Sequence, residues 1–128
     1  MSTPQDCKFT PSHEWVRLDG DVATIGITDH AAHTLSDLVY LGLPKAGDAV
    51  TAGSSFGEIE SVKAVSDLNS PVTGTVVEVN SALTDQLSDI TNEPYGKGWL
   101  IRVRLKKSGL PAELLDAAGY DRLVSETA

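Results

Sequence analysis

A two-residue alternation of apolar and charged side chains constrains the fold of this chain more than any other feature. Apolar residues occupy every second position from Trp99 to Leu105, and Arg102 and Arg104 lie between them. A period of two is that of a β-strand with one face buried, and such strands are typical of antiparallel sheets. Shorter stretches with strand-like apolar spacing occupy residues 14–18, 22–28, 39–43 and 76–79. The sequence therefore predicts a mainly β fold, in which Trp15 and Trp99 anchor the core at the starts of two strands.

Turns and helices complete this prediction. Asp19, Gly20 and Asp21 join two of the strands, and Asp-Gly is a favourable hairpin connection. Asp29 is expected to cap a short helix over residues 30–35. A C-terminal helical segment is expected at about 111–125, with its proline in the first turn and Gly119 interrupting it. Residues 85–93 read as an acidic loop. We expect one domain over residues 1–128, preceded by an N-terminal tail of about residues 1–7.

Size and charge limit the function. The chain has 128 residues and can bury about two-thirds of its surface, which is enough for a core without metals or disulfides. With 10 Lys and Arg against 18 Asp and Glu, the net charge is −8. This balance disfavours binding to nucleic acid and to anionic membranes, since both depend on basic side chains.

Few residues could support a metal site or a disulfide framework. Cys7 is the only cysteine, and it reads as an incidental thiol in the tail. The spacing of His13, His30 and His33 fits no standard zinc pattern, so no metal is expected. Neither a secretory h-region nor an apolar run of membrane-spanning length is present, and a cytoplasmic location is the expectation.

The chemically informative segment surrounds Lys63. Glycine-bounded turns flank this lysine, which predicts two strands with Lys63 on the protruding turn between them. An exposed lysine is charged at neutral pH and is a poor nucleophile, but a modifying enzyme can join a long prosthetic arm to it through an amide bond. An ordinary solvated lysine is the alternative. The ordered motifs favour modification: Gly-Asp-x-Val-x-x-Gly over 47–53, Glu-x-x-Lys-Ala over 60–64, and Ser-Pro-x-x-Gly-x-Val over 70–76.

These motifs resemble the attachment region of lipoyl and biotinyl domains. Biotinyl domains usually carry methionines beside the lysine, whereas Val62 and Ala64 stand here, as in the lipoyl branch. A wider set of segments resembles the glycine cleavage H-protein family, and this likeness covers roughly residues 8–124. The segments are 10–16, 25–31, 56–64, 69–72 and 94–100.

The resemblance implies both a fold and a function. The implied fold is a barrel-sandwich hybrid of two antiparallel sheets with short C-terminal helices. The implied function is that of a carrier, not an enzyme, with lipoate attached covalently to Lys63 by a lipoate-attaching enzyme. Its arm would take an aminomethyl group from a pyridoxal-phosphate glycine decarboxylase and pass it to a tetrahydrofolate-dependent aminomethyltransferase. Dihydrolipoamide dehydrogenase would then reoxidise the dithiol.

Five acidic and polar residues are candidates for a functional role, three through the resemblance and two because they precede Lys63. Ser12, Glu14 and Asp67 match positions that line a cleft for the loaded arm, where carboxylates could hold a cationic amine. Glu58 and Glu60 are candidates for recognition of the lysine turn by the attaching enzyme or a basic partner. Read without the resemblance, these carboxylates are ordinary surface acids.

Alternative functions remain open at this point. The chain could be a lipoyl domain that carries acyl groups for a 2-oxo acid dehydrogenase complex, or it could relay lipoate to other proteins. An unmodified β-barrel binding module is the alternative from a different class.

Overall fold

Two antiparallel sheets form the fold in the computed structural model, which describes residues 3–107 and 109–127. Six strands make the larger sheet and three make the smaller one. In spatial order the larger sheet contains β1 (Lys8–Phe9), β2 (Glu14–Asp19), β3 (Val22–Ile27), β9 (Ile101–Leu105), β8 (Gly74–Val79) and β5 (Ala49–Val50). The smaller sheet contains β4 (Leu38–Gly42), β6 (Ser55–Ser61) and β7 (Val65–Asn69). The mainly β, two-sheet prediction is confirmed.

The main core lies between the sheets and is built from the alternating positions. Ile25 and Val103 point inward from the larger sheet, and Ile59 and Leu68 from the smaller one. All four are at most 1% exposed. The hairpin from Asp19 to Val22 turns through Gly20, whose φ of 66° is the left-handed conformation that glycine tolerates.

Two β-bulges shift the alternation where the sequence predicts it to continue. The β4–β6 register changes between Leu38 and Tyr40, and the β8–β9 register changes between Val76 and Glu78. A bulge adds one residue to one strand and so exchanges the faces beyond it. Val39 and Val77 are the extra residues at these two bulges, and both are exposed, although their spacing predicts inward side chains.

A second apolar cluster packs on the larger sheet beneath the C-terminal helix. It contains Cys7, Phe9, Trp15 and Tyr120, all nearly fully buried. The thiol of Cys7 is therefore part of the packing, and burial raises its pKa to about 12, which makes it unreactive. The predicted anchoring role of Trp15 is confirmed.

The predicted position of Trp99 is only partly correct. The ring is half-buried, and the guanidinium of Arg102 lies 4.1 Å from its centroid. The ring therefore shares the outer side with Arg102, whereas Leu100 is fully buried in its place. The alternation of this strand begins at Ile101, where β9 itself begins.

The first helix is α1 (Asp29–Leu35), and its cap differs from the expected one. Thr28, not Asp29, is the N-cap residue, and its hydroxyl accepts a hydrogen bond from the backbone N–H of Ala31. The acidic loop predicted for residues 85–93 is also wrong. A 3-10 helix (Ser81–Asp85) and α2 (Ser88–Asn92) occupy this region, because Leu83 and Ile90 insert into the core.

The C-terminal helix is α3 (Ala117–Thr127), so it begins later than the predicted segment of 111–125. Leu115 is held beside Phe9 by two backbone hydrogen bonds of 2.8 Å, and this bridge keeps the preceding residues extended. Asp116 then accepts a hydrogen bond from the N–H of Gly119 at 2.8 Å. Gly119 lies in the first turn of α3 and does not interrupt it. Within the described residues, no helix is long and apolar enough to cross a membrane.

Candidate functional site

Lys63 lies at the tip of the β6–β7 hairpin, in the three-residue turn that joins the two strands. The turn is closed by the N–H of Ser61, which donates to the carbonyl of Ala64 at 2.8 Å. The buried hydroxyl of Ser61 accepts hydrogen bonds from the N–H groups of Lys63 at 3.3 Å and Ala64 at 3.2 Å. The backbone of the lysine is thus held from inside the turn while its side chain is exposed.

The side chain of Lys63 is available for modification. It forms no ion pair with any described residue. The N–H of Val62 donates to the carbonyl of Asp37 at 3.1 Å, which ties the tip to the edge of β4. An amide-forming enzyme can therefore approach the amine without breaking an existing contact in the described part of the chain.

The two recognition candidates face outward below the tip. Glu58 pairs with Asp67 across β6 and β7, and Glu60 pairs with Val65. Directly opposed like charges are unfavourable in a sheet, so the Glu58–Asp67 pair does not stabilise the hairpin.

Glu14 is the most constrained carboxylate of the candidate site. It is the first residue of β2 and is only 2% exposed. Its Oε1 accepts hydrogen bonds from the hydroxyls of Thr10 at 2.6 Å and Ser12 at 2.5 Å. Its Oε2 accepts from the backbone N–H of Asn69 at 3.2 Å. Burial raises the pKa of Glu14, and these hydrogen bonds oppose that rise without cancelling it.

The structure brings two of the three cleft candidates together. Ser12 and Glu14 touch, and Ser12 and Asn69 line one cleft of about 330 Å³. Asp67 lies instead in a second groove of about 320 Å³ beside Glu58. The three residues therefore do not form one cluster.

Three residues that contribute to the site were not predicted from the sequence. Thr10 and the backbone N–H of Asn69 hold Glu14, and Ser61 holds the lysine turn. Each lies in or next to a motif that resembles the family, which is the signal that could have identified Thr10 and Ser61. Asn69 donates through its backbone N–H, which nearly every residue type has, so the sequence does not reveal this contact.

His13 contacts the C-terminal helix, His30 packs beside His13, and His33 pairs with Asp29 of its own helix. The Nδ1 of His13 lies 2.8 Å from the hydroxyl of Tyr120, and its ring centroid lies 4.7 Å from that of His30. Burial lowers the pKa of His13, and the neighbouring His30 adds to the effect. Among the residues that the structure describes, no group of three or more His, Cys, Asp or Glu is placed to hold a metal ion.

The raised pKa of Glu14 makes a prediction about stability and pH. The folded state holds this proton more tightly than the unfolded chain, whose glutamates titrate near pH ~4.3. The stabilisation is complete below that pH and is lost as pH rises through the folded-state pKa. We expect the free energy of unfolding of wild type, relative to Glu14→Gln, to fall over this interval in urea titrations. A difference that grows with pH would contradict the assignment.

Comparison with known proteins identifies the family of this chain. The sequence model described as "Glycine cleavage H-protein" matches residues 7–127, which include Lys63 and Glu14. The chain belongs to the glycine cleavage H-protein family. The resemblance read from the sequence motifs is therefore confirmed.

Individual H proteins match along most of their length. The glycine cleavage system H protein of Nostoc punctiforme is 53% identical over 117 residues, which is 91% of each chain. That of Beutenbergia cavernae is 53% identical over 125 residues, 98% of each chain. The glycine cleavage system H protein 2, mitochondrial, of Arabidopsis thaliana is 49% identical over 122 residues, 95% of this chain and 78% of the relative.

A solved structure agrees with the H-protein fold. The crystal structure of a glycine cleavage system H protein from Mycobacterium marinum superposes with a TM-score of 0.86 at 38% sequence identity. The superposition covers 97% of this chain and 98% of that one. Both sheets and the C-terminal helix are thus part of the family's architecture.

Proposed function

We propose that the chain is the lipoyl-bearing shuttle protein of a glycine cleavage system, with lipoate attached through an amide bond to Nζ of Lys63. The observation that carries this proposal is the exposed Lys63 at the tip of the β6–β7 hairpin, in a member of the H-protein family. Its side chain forms no ion pair with a described residue, and the Ser61 hydroxyl holds its backbone by hydrogen bonds. The residues present fit the group, because the tip offers an accessible amine on a fixed backbone. When bound, the lipoyl dithiolane supplies reversible thiol–disulfide and group-carrying chemistry.

The partners follow from this role. They are the glycine decarboxylase, the tetrahydrofolate-dependent aminomethyltransferase, dihydrolipoamide dehydrogenase and a lipoate-attaching enzyme. The chain itself acts as a carrier and performs no catalysis, since the proposed reactions take place on the cofactors of its partners. Nucleic acid and membranes have no part in the proposal. The expected cytoplasmic location stays a prediction, and the Arabidopsis relative is named as mitochondrial.

Ser12, Glu14 and Asp67 are proposed to receive the loaded arm. A cationic amine on the arm would attract the carboxylates, and Ser12 can turn its hydroxyl away from Glu14 to admit it. Glu14 is well suited because Thr10 and Asn69 keep its carboxylate in one orientation. Asp67 lines a different groove, beside Glu58, and would contribute only when the arm reaches that groove. Glu58 and Glu60 are proposed to help the attaching enzyme recognise the turn.

Glu14→Ala should shorten the lifetime of the loaded arm. Removal of the carboxylate eliminates a charge-assisted hydrogen bond, and such bonds stabilise by roughly 1.5–3 kcal/mol, so hydrolysis should accelerate about tenfold or more. The measurement is release of ammonia and formaldehyde from the loaded protein with no partner enzyme present. Asp19→Ala is the matched control, because Asp19 is an exposed acid at the other end of β2. Equal lifetimes for wild type and Glu14→Ala would remove Glu14 from the cleft.

Mass spectrometry combined with reconstitution tests the proposal as a whole. Protein produced in a lipoate-competent cell should show one lipoyl adduct on intact mass, and peptide mapping should locate it at Lys63. The adduct-bearing protein should then support release of carbon dioxide from glycine by the decarboxylase. An unmodified protein from such cells would refute the carrier role.

The acyl-carrier alternative is distinguished by the same reconstitution. A lipoyl domain of a 2-oxo acid dehydrogenase complex would accept acyl groups and fail with glycine. A protein kept only to relay lipoate would carry the adduct and also fail with glycine. The relatives that match along most of their length are named as glycine cleavage system H proteins, which supports the aminomethyl carrier.

A further inference from the structure

His13 has an unusual backbone conformation between the two cleft residues Ser12 and Glu14. Its φ is 75°, and among the described residues Ser36 is the only other non-glycine residue with a positive φ. A left-handed conformation is strained for a residue with a Cβ, and such strain persists only where surrounding contacts impose it. The contacts that hold His13 therefore also decide how Ser12 and Glu14 are presented.

Backbone hydrogen bonds hold one side of residues 10–14, which we name the cleft loop. The N–H of His13 donates to the carbonyl of Thr10 at 3.1 Å, and the N–H of Thr28 donates to the carbonyl of His13 at 3.0 Å. The N–H of Glu14 donates to the hydroxyl of Thr10 at 3.0 Å. None of these bonds involves the imidazole of His13, which is held by separate contacts.

The hydroxyl of Tyr120 holds the imidazole of His13. It lies 2.8 Å from Nδ1 of His13 and 2.6 Å from the hydroxyl of Thr28, the N-cap residue of α1. One oxygen of α3 thus joins the cleft loop to the start of α1. The ring of Tyr120 is 2% exposed and stacks on Phe9 with centroids 4.7 Å apart, so this oxygen has a fixed position. Burial raises the pKa of Tyr120 to about 12, so the hydroxyl keeps its proton at neutral pH.

Tyr120 itself does not line the cleft that contains Ser12. The C-terminal part of the chain lines that cleft with residues that precede α3, namely Pro111, Glu113 and Leu114. The hydrogen-bonded path from the Tyr120 hydroxyl to the cleft loop runs through His13. We propose that Tyr120 is a positioning residue for the arm cleft: its hydroxyl keeps His13 left-handed, and this turn presents the Glu14 carboxylate beside Ser12. This inference rests on the proposed function above.

A purely structural role for Tyr120 is the alternative. A buried tyrosine between β1 and α3 stabilises the fold through its ring, which buries a large apolar area whatever the hydroxyl does. The two roles differ in what loss of the oxygen changes. A structural role predicts a general loss of stability, whereas the positioning role predicts an effect concentrated at the Glu14 carboxylate.

Hydrogen exchange tests the positioning role in protein without lipoate. Tyr120→Phe removes the hydroxyl and keeps the buried ring. The N–H of Asn69 donates to Oε2 of Glu14, whereas the next N–H, that of Ser70, donates to a backbone carbonyl at 2.9 Å. We expect exchange at Asn69 to accelerate about fivefold, the size of one neutral hydrogen bond, and exchange at Ser70 to stay unchanged. Equal changes at the two amides, or no change at either, would overturn the proposal.

Tyr95→Phe is the matched control for the exchange measurement. The half-buried Tyr95 accepts a hydrogen bond on its hydroxyl from the N–H of Asp29 at 3.2 Å. This substitution removes a tyrosine hydroxyl bonded to α1 and leaves the contact between Tyr120 and His13 in place. Exchange at Asn69 should therefore equal that of wild type.

His13→Gly keeps the test decisive if Tyr120→Phe does not fold. Glycine adopts a φ of 75° without strain, so the backbone turn is allowed, but it has no imidazole for Tyr120 to hold. Exchange at Asn69 should accelerate in this variant too. Exchange at Asn69 equal to that of wild type would count against the positioning role.

The lifetime of the loaded arm tests the same role in lipoylated protein. It is measured as release of ammonia and formaldehyde with no partner enzyme present. Tyr120→Phe should shorten the lifetime about fivefold. In the Glu14→Ala background the same substitution should have no further effect, because Tyr120 acts through the carboxylate that is now missing. A shortening of the same size in both backgrounds would show that Tyr120 acts independently of Glu14 and overturn the proposal.

Failure of the positioning role is distinguishable from failure of the proposed function. A protein that gains no lipoyl adduct would reject the proposed function, whereas the exchange result at Asn69 requires no lipoate. A loaded arm whose lifetime responds to Glu14→Ala but not to Tyr120→Phe would overturn the positioning role alone.

Discussion

Lys63→Arg should carry no lipoyl adduct and should reduce glycine-dependent carbon dioxide exchange to background. The guanidinium of arginine keeps its proton at every physiological pH and so offers no free amine for amide formation. Its positive charge and long stem are retained at an exposed position, so the fold should not change. Intact mass and the exchange assay measure the two effects on one preparation. We expect no other single substitution near the site to reduce function as strongly without disturbing the fold.

Lys45→Arg is the matched control for this experiment. Lys45 is also exposed, and it lies in a loop outside the β6–β7 hairpin. This variant should be lipoylated and active like wild type. If Lys63→Arg gained an adduct elsewhere and remained active, the lysine at the tip would not be the functional attachment point.

Gly57→Ala should have the largest effect on stability among substitutions near the site. A Cβ on Gly57 would stand 2.2 Å from the carbonyl oxygen of Gly42 on the neighbouring strand β4. Backbone cannot rotate away as a side chain does, so β4 and β6 would have to separate at that point. Overpacking of this kind costs about 3 kcal/mol in the free energy of unfolding, measured by urea titration. Lipoylation of the variant should also slow, because the same sheet supports the lysine tip.

The neighbouring Gly42→Ala provides a control in the same pair of strands. The nearest atoms to its Cβ belong to side chains. The closest is the hydroxyl oxygen of Tyr40 at 3.1 Å, and the exposed Tyr40 ring can move. The cost should be below about 1 kcal/mol, as for most surface substitutions. Similar losses for both variants would mean that the close approach of the strands at Gly57 is not what limits the site.

The alternating pattern was sufficient to predict the strands but not their irregularities. Ile101 to Leu105 behave as expected because the strand lies in the middle of the larger sheet, with neighbours on both sides. At Val39 and Val77 the spacing continues, yet each of these residues lies at a bulge and its side chain is exposed. A bulge depends on how one strand fits its partner, and no property of a single strand encodes it.

The predicted start of the C-terminal helix was wrong for a similar reason. Pro111 and the good helix formers after it predict an early start, but Leu115 pairs with Phe9, more than a hundred residues earlier. This long-range pairing overrides local propensity. The lysine tip, in contrast, was predictable because its turn signals are local. The three donors around Glu14 come from Thr10, Ser12 and Asn69, and only folding brings the last of them to the carboxylate.

The hydroxyl of Ser61 has a consequence for an arm attached to the tip. By holding the N–H groups of both Lys63 and Ala64, it keeps the anchor point of the tether stationary. The effective concentration of the far end of such a tether at any receiving surface then depends on tether length and stiffness alone. A mobile hairpin would spread the same end over a larger volume and dilute it at every destination. Together with the backbone hydrogen bonds that close the turn, the Ser61 hydroxyl would therefore raise the chance that the far end of the proposed arm meets any one surface.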